Sequence, residues 1–150
     1  MTGDDAASAN RPRLGEIAAA AEAFAALLLA SLAIAVLPFR TLMGTIANPQ
    51  GDVPPGDVDR LSRKVTQAIR RAERRLPLRI VCLHKGLATH WMLRRRGVAT
   101  SVHYGISPGD TALKAHVWVD AGGRTIIGED ESDGFTRVAT FPAAKSPAAR

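Results

Sequence analysis

The chain contains a single cysteine, Cys82, and its position favours thiol chemistry. It follows an apolar run at residues 78 to 81 and precedes LHKGLATHWMLRRRG, a pattern typical of a helix. A thiol attacks as its thiolate, and the unpaired N–H groups and the dipole at a helix start favour that anion. The same N–H groups can stabilise an oxyanion during acyl transfer. Cys82 is therefore a candidate nucleophile, and the alternative is a cysteine that only packs.

A catalytic thiol needs a base, and His116 is the candidate. The segment LKAHVWV alternates like a strand, so His116 and Trp118 are predicted on one face. Four apolar residues are predicted on the other face: Leu113, Ala115, Val117 and Val119. A helix-borne cysteine followed by a histidine on a strand is the order found in papain-like and transglutaminase-like enzymes. The alternative is a histidine with a purely structural hydrogen bond.

A third group should orient the imidazole, and the sequence leaves two choices. Asp120 lies on the same strand, roughly 13 Å from His116, and is predicted to be a solvated hairpin residue. A two-residue turn at Gly122-Gly123 would place Glu129 opposite His116. A slip or bulge in the register would bring Asp130 there instead.

The remaining charged and titratable residues indicate no further chemistry. His84, His90 and His103 are scattered, and we interpret them as structural. No Cys/His spacing indicates a metal site, and no cofactor is predicted. The net charge of +6 comes largely from arginines in residues 60 to 79 and 94 to 96. Because aromatic residues are few and no recognition motif accompanies the arginines, we predict solvated helix faces rather than nucleic-acid binding.

The elements that must position Cys82 and His116 are readable from the hydrophobic pattern. Residues 1 to 13 are predicted to be disordered. Residues 14 to 38 form an apolar helix that either packs on the catalytic domain or touches a membrane surface, and residues 47 to 57 form a Pro/Gly-rich linker. Acidic residues before and within the apolar run argue against a secretory signal. The N-terminal unit is therefore residues 14 to 57.

A catalytic domain is predicted for residues 58 to 150. An arginine-rich helix runs to Pro77, and the Cys82 helix ends at Gly97. The apolar period then changes to two, and we predict a meander of antiparallel strands with a turn at Gly122-Gly123. Helices followed by strands predict an α+β domain.

The combined pattern resembles a known family. CLHKGLATHWMLRRRGVATSVHYGI, followed by LKAHVWVDAGGR and preceded by PFRTL, is similar to the lasso-peptide leader peptidases, the transglutaminase-like B proteins of lasso-peptide biosynthesis. The matching positions are Cys82, Leu83, Leu93, Arg96, Gly97, Gly105, Ala115, His116, Trp118 and Val119. The resemblance runs from about residue 25 to the end of the chain.

The resemblance implies a transglutaminase-like cysteine peptidase that removes the leader from a ribosomally made precursor peptide. Cys82 would be its nucleophile and His116 its general base. Members of the family place an Asp after a glycine near the end of the second hairpin strand. Here Gly128-Glu129-Asp130 has one extra residue, so the third member stays open between Glu129 and Asp130.

The resemblance also implies partners. A separate small winged-helix protein would bind the leader, and an ATP-dependent lasso cyclase would take the released core peptide. The chain length predicts the stand-alone peptidase form, and the location implied is cytoplasmic, with membrane contact through the first helix left open. Two alternatives remain: a transglutaminase-like acyltransferase with an amine acceptor, and a non-catalytic membrane-associated scaffold.

Overall fold

The computed structural model describes residues 13–46, 51–129 and 133–142. In this part of the chain the helices come first and the strands follow. The helices are α1 (Leu14–Val36), α2 (Phe39–Gly44), α3 (Pro55–Glu73) and α4 (Cys82–Arg95). The strands are β1 (Thr100–Ser107), β2 (Lys114–Ala121), β3 (Arg124–Ile127) and β4 (Thr136–Phe141). The order confirms the predicted α+β class.

Helix α1 packs against α3 and α4, which is the first of the two arrangements that the sequence allowed. Its buried face consists almost entirely of small side chains: Ala19, Ala23, Ala26, Leu27 and Ala30. Because alanine projects little, neighbouring helix backbones can approach closely there. The helix has 23 residues, and its most apolar stretch has a mean hydropathy of 2.2, so by length and composition it also suffices to cross a membrane. It ends at Val36, just before Pro38.

The segment between α1 and α4 contains more helix than the sequence predicted. The short helix α2 buries Leu42 and Met43. Helix α3 begins at Pro55, so the last residues of the predicted linker are already helical, and residues 47 to 50 lie outside the described structure. Proline is well suited to the first helical position because its missing N–H has no intrahelical partner there.

Helix α4 connects the helical layer with the sheet. Its fully buried residues, including Leu87, Met92 and Leu93, belong to the hydrophobic core. Gly86 lies one turn after Cys82, and a Cβ built there would come within 2.8 Å of Val117 Cγ1. The glycine therefore lets the first turns of α4 approach β2 closely.

The four strands form one antiparallel sheet in the order β3-β2-β1-β4. Strands β1 to β3 are the predicted meander. The fourth strand, β4, was not predicted from the sequence, and it pairs antiparallel with β1 at the far edge of the sheet. Gly122 and Gly123 have φ of 59° and 79°, which is the left-handed conformation that a tight two-residue hairpin turn requires.

Candidate active site

Cys82 and His116 line the same cavity, although 34 positions of sequence separate them. The cavity has a volume of about 270 Å³. Its lining comes from α3, α4, β2 and the end of β3: Arg70, Glu73, Arg74, Cys82, Lys85, His116, Val117, Ile127 and Gly128. Since helices and strands from both layers meet here, the fold brings the predicted nucleophile and the predicted base to one surface.

Cys82 is the first residue of α4, as the sequence predicted. Its thiol is partly buried and packs against the hydrophobic core. The first backbone N–H of α4 that donates to a carbonyl of the preceding turn is that of His84, which donates to the Val81 carbonyl at 3.0 Å. The amides of Cys82 and Leu83 therefore lie in the part of the helix where N–H groups are available to an anion.

His84 shapes the entry to this helix. The Val81 N–H donates to His84 Nδ1 at 3.3 Å, so the imidazole caps the N-terminus of α4 at the residue before Cys82. Burial lowers the pKa of His84, which keeps the ring neutral and Nδ1 able to accept. The sequence analysis interpreted this histidine as structural but did not identify it as a helix cap.

The hydrogen bonding of His116 defines its tautomer. His116 Nε2 lies 2.9 Å from the Gly128 carbonyl oxygen. Because a carbonyl oxygen only accepts, Nε2 must carry the proton in this hydrogen bond. A neutral His116 then has its lone pair on Nδ1, the state that a general base requires.

Aromatic side chains enclose the imidazole of His116, which is 3% exposed. Its ring stacks on Trp118, with centroids 6.0 Å apart and 21° between the planes. Phe135 lies on another side at 5.2 Å. Of the four residues predicted on the opposite face of β2, Val117 and Val119 are buried and adjoin Gly86 of α4. Ala115 is exposed, and Leu113 precedes the strand and is 71% exposed.

Gly128 is a hydrogen-bond partner of His116 that the sequence interpretation missed. Its φ is +84°, and a Cβ there would meet the Val117 carbonyl oxygen at 2.8 Å and Trp118 Cβ at 2.9 Å. Only glycine fits these two requirements without movement of the backbone. The one sequence signal was the glycine before Glu129, which the family pattern also contains.

Of the two candidates for the third member of the predicted triad, Glu129 lies within the described residues. Glu129 is exposed and lies among the residues lining a different cavity, between α3 and β3. Asp130 lies outside the described residues. The β2–β3 pairing contains a bulge between Val119 and Asp120, which is the shift in register under which the sequence favoured Asp130.

Asp120 is not the solvated hairpin residue that the sequence predicted. Its Oδ2 lies 2.9 Å from His103 Nε2, and its Oδ1 accepts from Thr125 Oγ1 at 2.8 Å. His103 Nδ1 in turn lies 2.9 Å from Thr140 Oγ1. The carboxylate is therefore used to join β1, β2 and β3, and the prediction failed because it considered the turn without the strand beside it.

His90 is buried inside the helical layer and lies 2.6 Å, through Nδ1, from Thr100 Oγ1. Burial, together with the charge of Arg94, lowers its pKa to about 4. The ring is therefore neutral at physiological pH, and its second nitrogen has no hydrogen-bond partner among the described residues. Its place in the core gives it a packing role.

The comparisons with known proteins agree with this architecture. The model of the transglutaminase-like superfamily matches residues 24–140, which span most of α1 through most of β4. Neither the curated proteins nor the solved structures that were searched gave a match. The superfamily is generally enzymatic, with a catalytic cysteine, and includes both peptidases and acyltransferases. Because the matched span covers more than half of the sequence, the chain belongs to the transglutaminase-like superfamily.

Proposed function

We propose that this protein is a cysteine peptidase that removes the leader from a ribosomally made lasso precursor peptide. The observation that carries the proposal is the shared cavity of Cys82 and His116, with the thiol at a helix start and the imidazole in the Nε2–H tautomer. The similarity of the segments around both residues to lasso-peptide leader peptidases supplies the substrate class.

In this mechanism His116 Nδ1 takes the thiol proton as Cys82 Sγ attacks the scissile carbonyl carbon. The amides at the start of α4 stabilise the oxyanion. His116 then gives its proton to the leaving amine, and a thioester remains on Cys82. Water, deprotonated by the same imidazole, hydrolyses the thioester, releases the leader carboxylate and restores the thiol.

A carboxylate near Gly128 would orient the imidazole and stabilise its charged form. We propose Asp130 for this role, with Glu129 as the alternative. The support is the bulge in the β2–β3 pairing, which is the one-residue shift that distinguishes the two. Replacing the true third residue by its amide should slow cleavage on the order of 100-fold or more, and replacing the other should not.

The partners follow from the same similarity. We propose that a small winged-helix protein binds the leader and presents the junction to Cys82, and that an ATP-dependent cyclase receives the core peptide. We also propose a cytoplasmic location with peripheral attachment to a membrane through α1. The outer face of this helix is apolar, with Leu28, Leu29 and Leu32 exposed, while its inner face packs on the rest of the fold.

The decisive experiment incubates the protein with a candidate precursor and the recognition protein, and follows the products by mass spectrometry. Cys82→Ala and His116→Ala should each lower cleavage at least about a thousandfold. Arg71→Gln, an exposed change outside the Cys82 cavity, is the matched control and should cleave like wild type.

The product masses separate peptidase from acyltransferase. Hydrolysis adds one water across the cut bond, whereas transfer leaves the leader joined to the added amine. A product that carries the amine would favour the acyltransferase alternative. Undiminished leader release by Cys82→Ala would refute thiol catalysis altogether and favour the non-catalytic scaffold.

A further inference from the structure

The Cys82 cavity has an excess of positive charge. Three cationic side chains, Arg70, Arg74 and Lys85, line it together with one carboxylate, Glu73. Lys85 Nζ lies 3.2 Å from Glu73 Oε1, and each of these side chains is 30% exposed. The only carboxylate of the described lining is therefore already neutralised by the lysine.

Among the described residues, no anionic side chain pairs with Arg70 or Arg74. Neither side chain forms an ion pair or hydrogen bond within the described parts of the chain, whereas Arg60, Arg96 and Arg124 each pair with a carboxylate. The two arginines are four residues apart and therefore neighbours on one face of α3. Arg71, between them in sequence, lines a different cavity beside α1.

Helix termination offers a simpler reason for these arginines. They lie at the last turn of α3, where positive charge stabilises the helix dipole. That role needs no ligand and applies equally to Arg71. The arrangement that helix termination does not explain is the orientation of both Arg70 and Arg74 onto the cavity that contains the thiol.

We propose that Arg70 and Arg74 are specificity-determining residues for an acidic substrate. They would bind an Asp, Glu or terminal carboxylate within one or two residues of the bond that Cys82 attacks, because a guanidinium matches a carboxylate with two parallel hydrogen bonds. The inference deepens the proposed function by naming a substrate chemistry, and it rests on Cys82 being the reacting group.

The single cysteine permits a test that needs no substrate. Iodoacetate and iodoacetamide alkylate a thiolate by the same displacement of iodide but differ by one negative charge. The ratio of their rates, iodoacetate over iodoacetamide, should be several-fold higher at Cys82 than at N-acetylcysteine amide. A charge at roughly 7 Å in a water-like dielectric changes such a ratio about threefold, so Arg70→Gln with Arg74→Gln should lower it close to tenfold.

The control and the salt dependence make the result specific. Arg71→Gln, which removes one positive charge from the same helix, should leave the ratio near the wild-type value instead of lowering it about threefold. High salt should reduce the wild-type ratio towards that of the double variant, because exposed charges are screened. An unchanged ratio in the double variant, or an equal drop in Arg71→Gln, would overturn the proposal and leave only helix termination.

A second measurement separates this inference from the proposed function. With wild type, a precursor with Asp beside the cleavage site should have a kcat/KM about threefold to tenfold higher than the matched precursor with Asn. With the double variant, the two precursors should have nearly the same kcat/KM. No cleavage of any precursor combined with a high alkylation ratio would refute the peptidase and retain an anion-binding thiol site. Precursor cleavage without any charge preference in either assay would retain the peptidase and refute the role of Arg70 and Arg74.

Discussion

At the scale of a single residue, the backbone conformation of Gly128 sets the hydrogen bond of the proposed base, His116. Its carbonyl oxygen accepts from His116 Nε2, and its left-handed φ of +84° sets the direction of that carbonyl. Any side chain at this position would collide with the Val117 carbonyl oxygen and with Trp118. The tautomer of the proposed base therefore depends on a residue that has no side chain.

Gly128→Ala should consequently reduce both stability and activity. We expect a loss of about 1–3 kcal/mol in the free energy of unfolding, because the Cβ is strained by φ and by contact, and a fall in kcat/KM of roughly tenfold beyond the effect of partial unfolding. Urea unfolding and steady-state cleavage measure the two effects.

Gly123→Ala is the matched control for this change. Gly123 has a similar φ of +79°, but among the described residues, apart from its chain neighbours, no heavy atom lies within 4 Å of the Cβ position. It should lose only about 1 kcal/mol of stability and keep its activity. Equal effects of the two substitutions on kcat/KM would contradict the proposed role of the Gly128 carbonyl.

These residues also mark the extent to which the site could be predicted. Cys82 and His116 were recognisable because their chemistry is specific to the side chain and their positions follow from hydrophobic periods. The Gly128 carbonyl was not recognisable as the hydrogen-bond acceptor for His116, because every residue has a carbonyl. Arg70 and Arg74 were assigned to a solvated face, since a cavity formed by α3, α4 and β2 depends on packing between elements that are distant in sequence.

At the scale of elements, Glu22 of α1 forms ion pairs with two arginines at the end of α4, Arg96 at 2.6 Å and Arg95 at 3.7 Å. Arg96 follows the end of α4 and contacts both carboxylate oxygens of Glu22 in α1, at 2.9 and 2.6 Å. Both side chains are about one-fifth exposed. The hydrogen bond from Arg96, aided by the charges of Arg96, Arg95 and Lys64, lowers the pKa of Glu22 against the opposing effect of burial.

The sign of the pH dependence follows from that lowered pKa. At acid pH the unfolded chain binds a proton at Glu22 more readily than the folded chain does. The contribution of the pair to stability is therefore complete above pH 4.5, the ordinary pKa of this group, and is lost as the pH falls through the folded pKa.

Glu22→Gln should lower the free energy of unfolding at pH 7 by about 1–3 kcal/mol, because Arg96 keeps a partly buried charge without its partner. The difference from wild type should shrink as urea titrations are repeated at steps below pH 4.5. Asp57→Asn, which removes an exposed pair with Arg60, should change stability by less than about 1 kcal/mol. Equal losses in the two variants would contradict the tie between α1 and α4.

The elements themselves and the pairing of β1 to β3 were largely predictable, whereas α2 and the place of β4 were not. The periods of the apolar residues located α1, α3, α4 and the first three strands, because burial on one face imposes the period of the element. β4 crosses to the edge beside β1, and α2 buries only Leu42 and Met43. Neither feature has a local signal, since both depend on which surface remains free after the other elements have packed.

At the scale of the whole molecule, the outer face of α1 is an apolar surface that the proposed chemistry does not use. Among the exposed apolar side chains, Leu28, Leu29, Leu32 and Val36 are between 46% and 64% exposed. A helix that is apolar on all sides needs cover on each of them, and the fold covers only the alanine face. Arg13 and Arg40 are exposed at the two ends of this surface.

This distribution of charge and apolar surface favours a membrane as the cover. The helix cannot cross a bilayer without breaking the Glu22–Arg96 pair and the packing of its inner face, so it would lie in the plane of the interface. The arginines at both ends, with a net charge of +6 for the chain, are suited to anionic headgroups. A protein partner on the same face would need no anionic lipid, and this difference makes the two occupants separable.

Wild-type protein should therefore sediment with phosphatidylglycerol-containing vesicles more than with phosphatidylcholine vesicles. Leu29→Ser with Leu32→Ser should weaken binding at least about tenfold, because apolar area no longer enters the interface. Leu78→Ser with Leu113→Ser removes two other exposed leucines, 47% and 71% exposed, and should bind like wild type. If wild type fails to bind either vesicle while the α1 variant loses precursor cleavage, the face is a protein-docking surface and the membrane proposal is wrong.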